Sequence, residues 1–395
     1  MNTYSKNLQF KNWAKSQQCR PERIIQPETE EEIISIVREA AASGKTIRVV
    51  GAGHSWSAIA CTDHWMINLD KYNKVLKVDK SKKRVVVQAG MRLNDLNNYL
   101  ADQGLALANL GHISEQSVAG AISTATHGTG IKYGNLSTQV VGIRLIKADC
   151  SVCDLDENDG EIWQAVRVSL GCLGIISEVT IQCVDAFFLE ENTYTLPFEE
   201  AMDKMLDLVN SNDHVKFWWF PHVNYVYVFC QNRTDKQEKR ISFFERWFEN
   251  SFLAIFLFSS MLKTGMLFPK LIPGINRFIK VIHYKTRHRI ERSDWVLNGP
   301  FPPVHNEAEY AVPAENAPEI IYKLREMIET RGMYVNFLVE ARFIKADDCL
   351  LSPNYQRDSC NIGAYMAGKR GWSAYLAGFE SIVASYQGRP HWGKE

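Results

Sequence analysis

The sequence predicts an α+β protein of two domains, and three observations predict it. The chain has 395 residues, more than the roughly 150 of one ordinary domain. Its first fifty residues read as a single β-α-β unit, after which strands and helices follow without the regular alternation of a parallel α/β sheet. Near residue 185 the character changes to aromatic strands, a long apolar stretch and an amphipathic helix, which places the domains at 1–185 and 186–395, each α+β.

The elements follow in order. "RIIQP" (23–27) is a short strand ended by proline. "TEEEIISIVREAAASGK" carries a capping box in Thr29 and Glu32, an apolar face of Ile33, Ile34, Val37, Ala40 and Ala41, and a stop at Gly44. "TIRVV" is the second strand and runs into Gly51-Ala52-Gly53. "MINLD", "KVLKVD" and "RVVVQAG" read as strands, "RLNDLNNYLADQG" as a helix, "VVGIRLIKADCSVCDL" as a hairpin and "GIISEVTIQCV" as a strand. Beyond 185, "KFWWFPHVNYVYVFCQN" is strand-like, "GPFPPVH" a loop, "EYAVPAENAPEIIYKLREMIETRG" a strand and helix, and "YVNFLVEARFI" a strand.

Composition removes several function classes. Lys+Arg and Asp+Glu are 45 each, so no global basic charge favours nucleic acid. Nine scattered cysteines do not form a disulfide framework and favour a reducing, intracellular compartment. Cys150 and Cys153 make one C-x-x-C with no second pair at zinc spacing, so no metal is expected. The N-terminal run lacks the apolar core of a signal peptide. The stretch 252–268, "FLAIFLFSSMLKTGMLF", holds Lys263 and falls at the short limit of a span of about 20 residues. It fits a buried helix with an exposed lysine, or a helix lying on a membrane surface.

Two small-residue stretches carry the chemistry. In "RVVGAGHSWS" Gly51 and Gly53 give G-x-G, but Trp56 replaces the third glycine of a dinucleotide fingerprint and no crossover helix follows. A tight turn and a backbone cradle for a pyrophosphate both fit. In "NLGHISEQSVAGAISTATHGTG" (109–130), Ser117 to Gly130 is almost entirely Ala, Gly, Ser and Thr. Such a run suits close packing of two elements, or close approach of backbone to an extended ligand.

In "VNFLVEARFI", Val335, Phe337, Val339, Ala341 and Phe343 share one face of a strand, and Asn336, Leu338, Glu340, Arg342 and Ile344 the other. Glu340 and Arg342 therefore point the same way, as a surface ion pair or as members of a site.

Together "VVGAGHSWSAIACTD", "NLGHISEQSVAGAISTATHGTG", "SLGCLGIISEVTIQC", "VEARF", "LLSPNYQRDSC" and "GRPHWGK" resemble the aldonolactone oxidases, within the vanillyl-alcohol-oxidase-type flavoproteins, and most of all their gulonolactone-oxidising branch. The resemblance spans essentially the whole chain with the motifs in order. It implies a PCMH-type FAD-binding domain over 1–185 and a substrate (cap) domain over 186–395. It implies FAD joined covalently to His54, with Gly51, Ala52, Gly53 and Ser55 around the pyrophosphate, Ser117, Gly120 and Ser123 approaching from the second loop, and Ile175 and Ile176 near the adenine. Gly111 matches the position that leaves oxygen a path to the flavin, and His112 one beside the reactive face; His127 fits either a supporting or a structural role.

For the second domain the resemblance implies that Glu340 and Arg342 line the substrate pocket and that Lys394 of "HWGK" reaches substrate hydroxyls. The implied reaction oxidises a sugar 1,4-lactone of the L-gulono, L-galactono or D-arabinono type, with O2 as acceptor, hydrogen peroxide as by-product and an ascorbate-type product. An alditol oxidase, a lactone dehydrogenase and an inactive FAD-binding or membrane-attached protein are the alternatives. Animal members are membrane-associated, which implies an endoplasmic-reticulum-like membrane location through 252–268 in a eukaryote and a cytoplasmic one otherwise. Members also continue past the position of Glu395, so the resemblance implies a shortened C-terminus.

Overall fold

The computed structural model describes residues 8–242, 244, 252–283, 286–299 and 302–395. The chain divides into two compact units that exchange short segments: the first holds Met1–His127, Gly134–Ala186 and Asp347–Tyr355, the second Gly128–Tyr133, Phe187–Ala346 and Gln356–Glu395.

In the first unit the opening β-α-β is present. Strands Arg23–Ile25 and Ile47–Val50 both run parallel to Trp65–Asn68, which lies between them. The helix Glu30–Ala42 starts at Thr29, whose hydroxyl accepts the Glu32 amide. The Glu32 carboxylate takes the amide of Glu28 rather than that of Thr29, so the box closes one residue early. Ile33, Ile36, Val37 and Ala40 form its buried face; Ile36 takes the place expected of Ile34 and Ala41. Gly44, at φ +63°, ends it in a conformation that strains a side chain.

A five-stranded antiparallel sheet follows, in the order Val152–Leu155, Val140–Ile146, Ile175–Gln182, Arg84–Gln88, Val75–Asp79. The expected hairpin is its edge, with Val152 opposite Ile146. Strand Ile175–Gln182 alternates buried apolar and partly exposed polar residues over most of its length, the period-2 pattern of a sheet with one covered face. The 3-10 turn Leu136–Gln139 and the helix Leu93–Asp102 complete the unit's main elements.

The second unit is built on an eight-stranded antiparallel sheet in the order Arg287–Arg292, Phe188–Pro197, Tyr225–Thr234, His214–Trp219, Val339–Ile344, Ser359–Met366, Asn306–Pro313, Arg389–Pro390. One face is apolar. Val215, Phe217 and Trp219, Val339, Ala341 and Phe343, and Cys360, Ile362 and Ala364 pack there with the helices Phe198–Asp203, Ala317–Thr330 and Trp372–Ala384. Burying side chains of this size stabilises by about 1.5–3 kcal/mol each, which fixes the register, because a slip of one residue would turn every charge on the opposite face into the core. The strand expected over 334–344 is shorter, since Asn336 bonds the backbone of Ala367 through both ends of its amide and holds the chain off the ladder until Val339.

The apolar stretch 252–268 is the helix Phe252–Leu267, followed by the helix Ile272–His283. Leu262 and Ile279 are buried against Phe337 and Tyr365, while Phe256, Leu257, Leu267, Phe268, Leu271 and Phe278 are exposed. Among the described residues no helix is long and apolar enough to cross a membrane.

Candidate active site

In the first unit a cleft of about 430 Å³ opens between the two small-residue stretches, a volume in the range of small-molecule sites. Gly51, Ala52, Gly53, His54, Ser55, Ser117, Gly120, Ser123, Ile175 and Ile176 all line it; Gly111 and His112 do not. The stretches touch so closely that a Cβ on Gly51 would lie 2.2 Å from the Ser117 hydroxyl oxygen. Ser117 is itself fixed as the cap of the short helix Val118–Ser123, accepting the Gly120 amide at 3.3 Å. Gly53 turns through φ +69°. Gly111 instead packs tightly, with a Cβ there falling 3.0 Å from the Thr126 methyl.

The lining carries Lys45, Arg48 and Lys147 and, among the described residues, no carboxylate. A cleft of that charge suits an anion. The close-set glycines, the serine hydroxyls and this cationic lining fit the pyrophosphate and flat rings of FAD. Sequence reasoning missed one wall. The N-terminal hairpin Phe10–Lys11/Gln18–Cys19 grips the histidine loop: the Trp13 amide donates to Gly53 O at 2.8 Å, the Asn12 side chain to Ser55 O at 2.9 Å and Ser16 to Trp56 O at 3.2 Å. The Trp13 ring lies 6.1 Å from that of His54, tilted by 36°. Strands two residues long carry no periodic signal, so only the polar side chains of Asn12 and Ser16 could have hinted at it.

In the second unit the face opposite the apolar core is polar and buried. Glu340 and Arg342 share it as expected, with Arg342 Nε 3.4 Å from Glu340 Oε2. Trp218 Nε1 donates to Glu340 Oε1 at 2.6 Å and the Tyr365 hydroxyl to Oε2 at 2.9 Å, so both carboxylate oxygens are held. Arg342 Nη2 donates to both oxygens of Glu309, at 2.9 and 3.1 Å.

Lys394 is not on a loose tail. Arg389–Pro390 pairs with the strand Asn306–Pro313, the His391 amide donates to Glu309 O, and Lys394 Nζ lies 2.6 Å from Glu307 Oε2. Glu307 and Glu309, two apart on one strand, thus each hold one expected cation, and the sequence reading singled out neither. Their signal was the alternation in "NEAEYAVP", the same pattern that marked Glu340 and Arg342. Lys216, in register with Arg342, was also missed, hidden in an aromatic run; its ammonium lies 4.4 Å from the Phe229 ring centroid.

Electrostatics follow from burial and pairing. Burial alone would lower the Arg342 pKa, but Glu309 and Glu340 hold it above the ordinary value. Burial alone would raise Glu307, and Lys394 with His305 brings it down to about 2. Burial lowers Lys216 against the pull of Glu340 and Glu191, and raises Tyr365 well above the usual phenol range, helped by Glu307 and Glu340. The arrangement is a fixed, dry set of donors and acceptors of the kind that orients a polyhydroxylated ligand and stabilises charge developing on its oxygens.

Residues 179–395 match the family model described as D-arabinono-1,4-lactone oxidase, and residues 21–156 that of an FAD binding domain. The chain belongs to the D-arabinono-1,4-lactone oxidase family. It is an FAD-dependent aldonolactone oxidoreductase. Mouse L-gulonolactone oxidase is 38% identical, over 98% of this chain and 89% of its own. L-Gulono-1,4-lactone dehydrogenase of Mycobacterium tuberculosis is 35% identical over the same shares. The fold is shared with a solved structure titled solvent-stable cholesterol oxidase, which superposes with a TM-score of 0.82 at 18% identity, over 98% of this chain and 86% of that one.

Proposed function

We infer that this protein oxidises the secondary hydroxyl next to the carbonyl of a sugar 1,4-lactone of the L-gulono, L-galactono or D-arabinono type, with O2 as acceptor and an ascorbate-type product. The observation that carries the reading is the buried set Glu340–Arg342–Glu309 with Lys394–Glu307, because a polar sheet face this tightly cross-held is preorganised for a ligand rich in hydroxyls. In this reading residues 1–185 hold the cofactor and 186–395 the substrate. Gly51, Ala52, Gly53, Ser55, Ser117, Gly120 and Ser123 would hold the pyrophosphate and Ile175 and Ile176 the adenine, while Gly111 and His112, which do not line that cleft, would border the reactive ring. His54, on the wall of that cleft, would hold the flavin through a covalent bond.

When bound, FAD would supply the two-electron acceptor for the substrate C–H hydride and a route for those electrons to oxygen. The chain's own share is binding and electrostatics. Glu340 accepts hydrogen bonds from substrate hydroxyls while Trp218 and Tyr365 keep its plane fixed. Arg342 and Lys394 stabilise negative charge that grows on the substrate oxygen as its proton leaves. Glu309 and Glu307 keep those two cations in place.

A dehydrogenase is the second reading, favoured by the Mycobacterium tuberculosis relative named as one. The exposed Phe256, Leu257, Leu267, Phe268, Leu271 and Phe278, with Lys263, Lys270 and Arg277 also exposed among them, support peripheral attachment to an anionic membrane. Co-sedimentation with vesicles containing anionic lipid tests it, and protein left wholly in the supernatant refutes it.

The first experiment is an absorbance spectrum followed by acid precipitation. Yellow retained in the pellet and lost in His54→Ala supports the covalent bond. Bleaching by L-gulono-1,4-lactone with release of hydrogen peroxide supports the oxidase, and bleaching reversed only by an added electron acceptor supports the dehydrogenase. A flavin-loaded protein that no aldonolactone bleaches refutes the substrate assignment.

A further inference from the structure

All nine cysteines are free, and most of them have no sulfur chemistry within reach. The thiols of Cys153, Cys172 and Cys183 point at backbone carbonyls, and that of Cys230 at the Tyr194 hydroxyl. Cys349 and Cys360 are fully buried. Cys19 and Cys61 differ. Cys19 ends the N-terminal hairpin, and its Sγ accepts the amide of Thr62, the neighbour of Cys61, at 3.4 Å. Cys61 sits in the turn closed by its own amide on Ala58 O, directly after Ala60 on the wall of the cleft. Its thiol neighbours that of Cys19, and both residues are half-buried, within reach of a small oxidant.

We propose that Cys19 and Cys61 are a modification site: hydrogen peroxide converts them to an intrachain disulfide that staples the N-terminal hairpin to the loop carrying His54. The hairpin also holds that loop through the hydrogen bonds of Trp13, Asn12 and Ser16 and ring contacts of Trp13. Burial and the neighbouring Cys19 sulfur push the Cys61 thiol up to about 11, so Cys61 stays protonated at neutral pH and Cys19 is the attacking sulfur.

The Cys19 thiolate attacks one peroxide oxygen and the O–O bond breaks. A sulfenic acid forms, and the departing hydroxide takes up the proton that Cys19 gave away, leaving water. The Cys61 sulfur then attacks the sulfenic sulfur, and its proton leaves with the displaced hydroxide as a second water. Two thiols and one peroxide become one disulfide and two waters; each sulfur gives up one electron and the peroxide takes two. Closing a loop of about 40 residues restricts the unfolded chain more than the folded one, so the oxidised form is the more stable.

The site does not depend on the lactone reading, because added peroxide suffices; an oxidase would also supply its own. The full-length flavoprotein, purified reduced, is treated with hydrogen peroxide, alkylated, digested without reductant and weighed by mass spectrometry. We expect one cross-linked peptide pair holding Cys19 and Cys61, about 2 Da lighter than the two reduced peptides, and alkylation lost at only these two of the nine cysteines. Dithiothreitol should reverse both. The cross-link should vanish in Cys19→Ser and in Cys61→Ser and persist in Cys172→Ser. Peroxide should raise the Tm of the wild type and leave that of Cys61→Ser unchanged. Both cysteines still alkylated after peroxide, sulfinic acid at Cys19 without a cross-link, or pairing of either with another cysteine would each overturn the proposal. A cross-link without a rise in Tm would overturn the staple.

Discussion

Replacing Lys394 by methionine keeps the length of the side chain and removes the charge that holds Glu307 ionised. Burial pushes the Glu307 carboxyl up, and Lys394, with His305 behind it, brings it from 4.5 to about 2. A difference of that size separates the two protonation states by about 3 kcal/mol. Because the folded-state value is depressed, the stabilisation is complete above the unfolded value near 4.5 and is lost as pH falls through about 2. In Lys394→Met the main source of the depression is gone, desolvation takes over, and Glu307 titrates above 4.5.

Near neutral pH the variant carries a buried carboxylate with His305 Nε2 3.5 Å away. The expected loss is about 3 kcal/mol, the low end for a broken buried pair. At about pH 5 a larger share of the carboxyl is protonated, so the loss should be smaller than near neutral pH. Urea unfolding followed by tryptophan fluorescence at both pH values measures it. The double variant Lys394→Met/Glu307→Gln, with both charges removed, should regain most of the stability. Equal destabilisation at the two pH values, or less than about 1 kcal/mol near neutral pH, would refute the pairing as the source.

The other expectations are shorter. Arg342→Lys cannot serve both Glu309 oxygens and Glu340 from one ammonium, so kcat/KM for the lactone should fall about 100-fold with little change in Tm; an unchanged kcat/KM would remove Arg342 from the reaction. Gly51→Ala puts a Cβ 2.2 Å from the Ser117 hydroxyl; turning that hydroxyl away breaks its bond to the Gly120 amide, which costs about 1 kcal/mol. Flavin content should drop with it, and Ser117→Gly in the same chain should restore part of the content. His214 is held near 4 by burial, despite the Thr129 carbonyl that bonds its ring. Its folded-state value lies below the ordinary 6.5, so the unfolded chain binds the extra proton and stability falls as pH drops through that interval. His214→Gln should flatten the slope of unfolding free energy between those pH values, and an unaltered slope would assign the acid sensitivity elsewhere.

What was legible in the sequence was local. Thr29 and Glu32 announced a helix, the alternation around Glu340 and Arg342 announced a strand with a charged face, and two small-residue stretches announced backbone in close approach. The illegible parts depend on register between distant strands. Glu309 reaches Arg342 because Glu309 faces Gly363 and Gly363 faces Glu340, a chain of pairings among three strands of the sheet. No window of "NEAEYAVP" contains that information, although its alternation matches that of the strand it serves. Lys216 failed to stand out for a different reason: it sits in an aromatic run whose Phe217 and Trp219 are core, and only pleating separates the lysine from them. The strand start at Val339 was misplaced because the apolar alternation runs on through Val335 and Phe337, while one amide side chain, Asn336, decides where pairing begins.

Charge distinguishes the two polar regions, and that difference matches two kinds of ligand. The cleft of the first unit gathers Lys45, Arg48 and Lys147 with no carboxylate among its described lining residues. Lys45 is paired with Glu22 and Lys147 lies 3.9 Å from Asp149, carboxylates outside that lining, so the cleft itself presents cations to a diphosphate. On the polar face of the second unit the carboxylates lie on the face itself, where Arg342 and Lys394 are met by Glu309, Glu340 and Glu307. An anion entering there would meet those carboxylates as well as the cations, and would lose its hydration for little net attraction. A neutral, hydroxyl-bearing lactone forfeits far less on desolvation, and finds donors and acceptors already fixed in place. In the proposed reaction the same carboxylates that keep the two cations from binding any passing anion would hold them where charge appears only as the substrate oxygen gives up its proton, the point at which their field would lower the barrier.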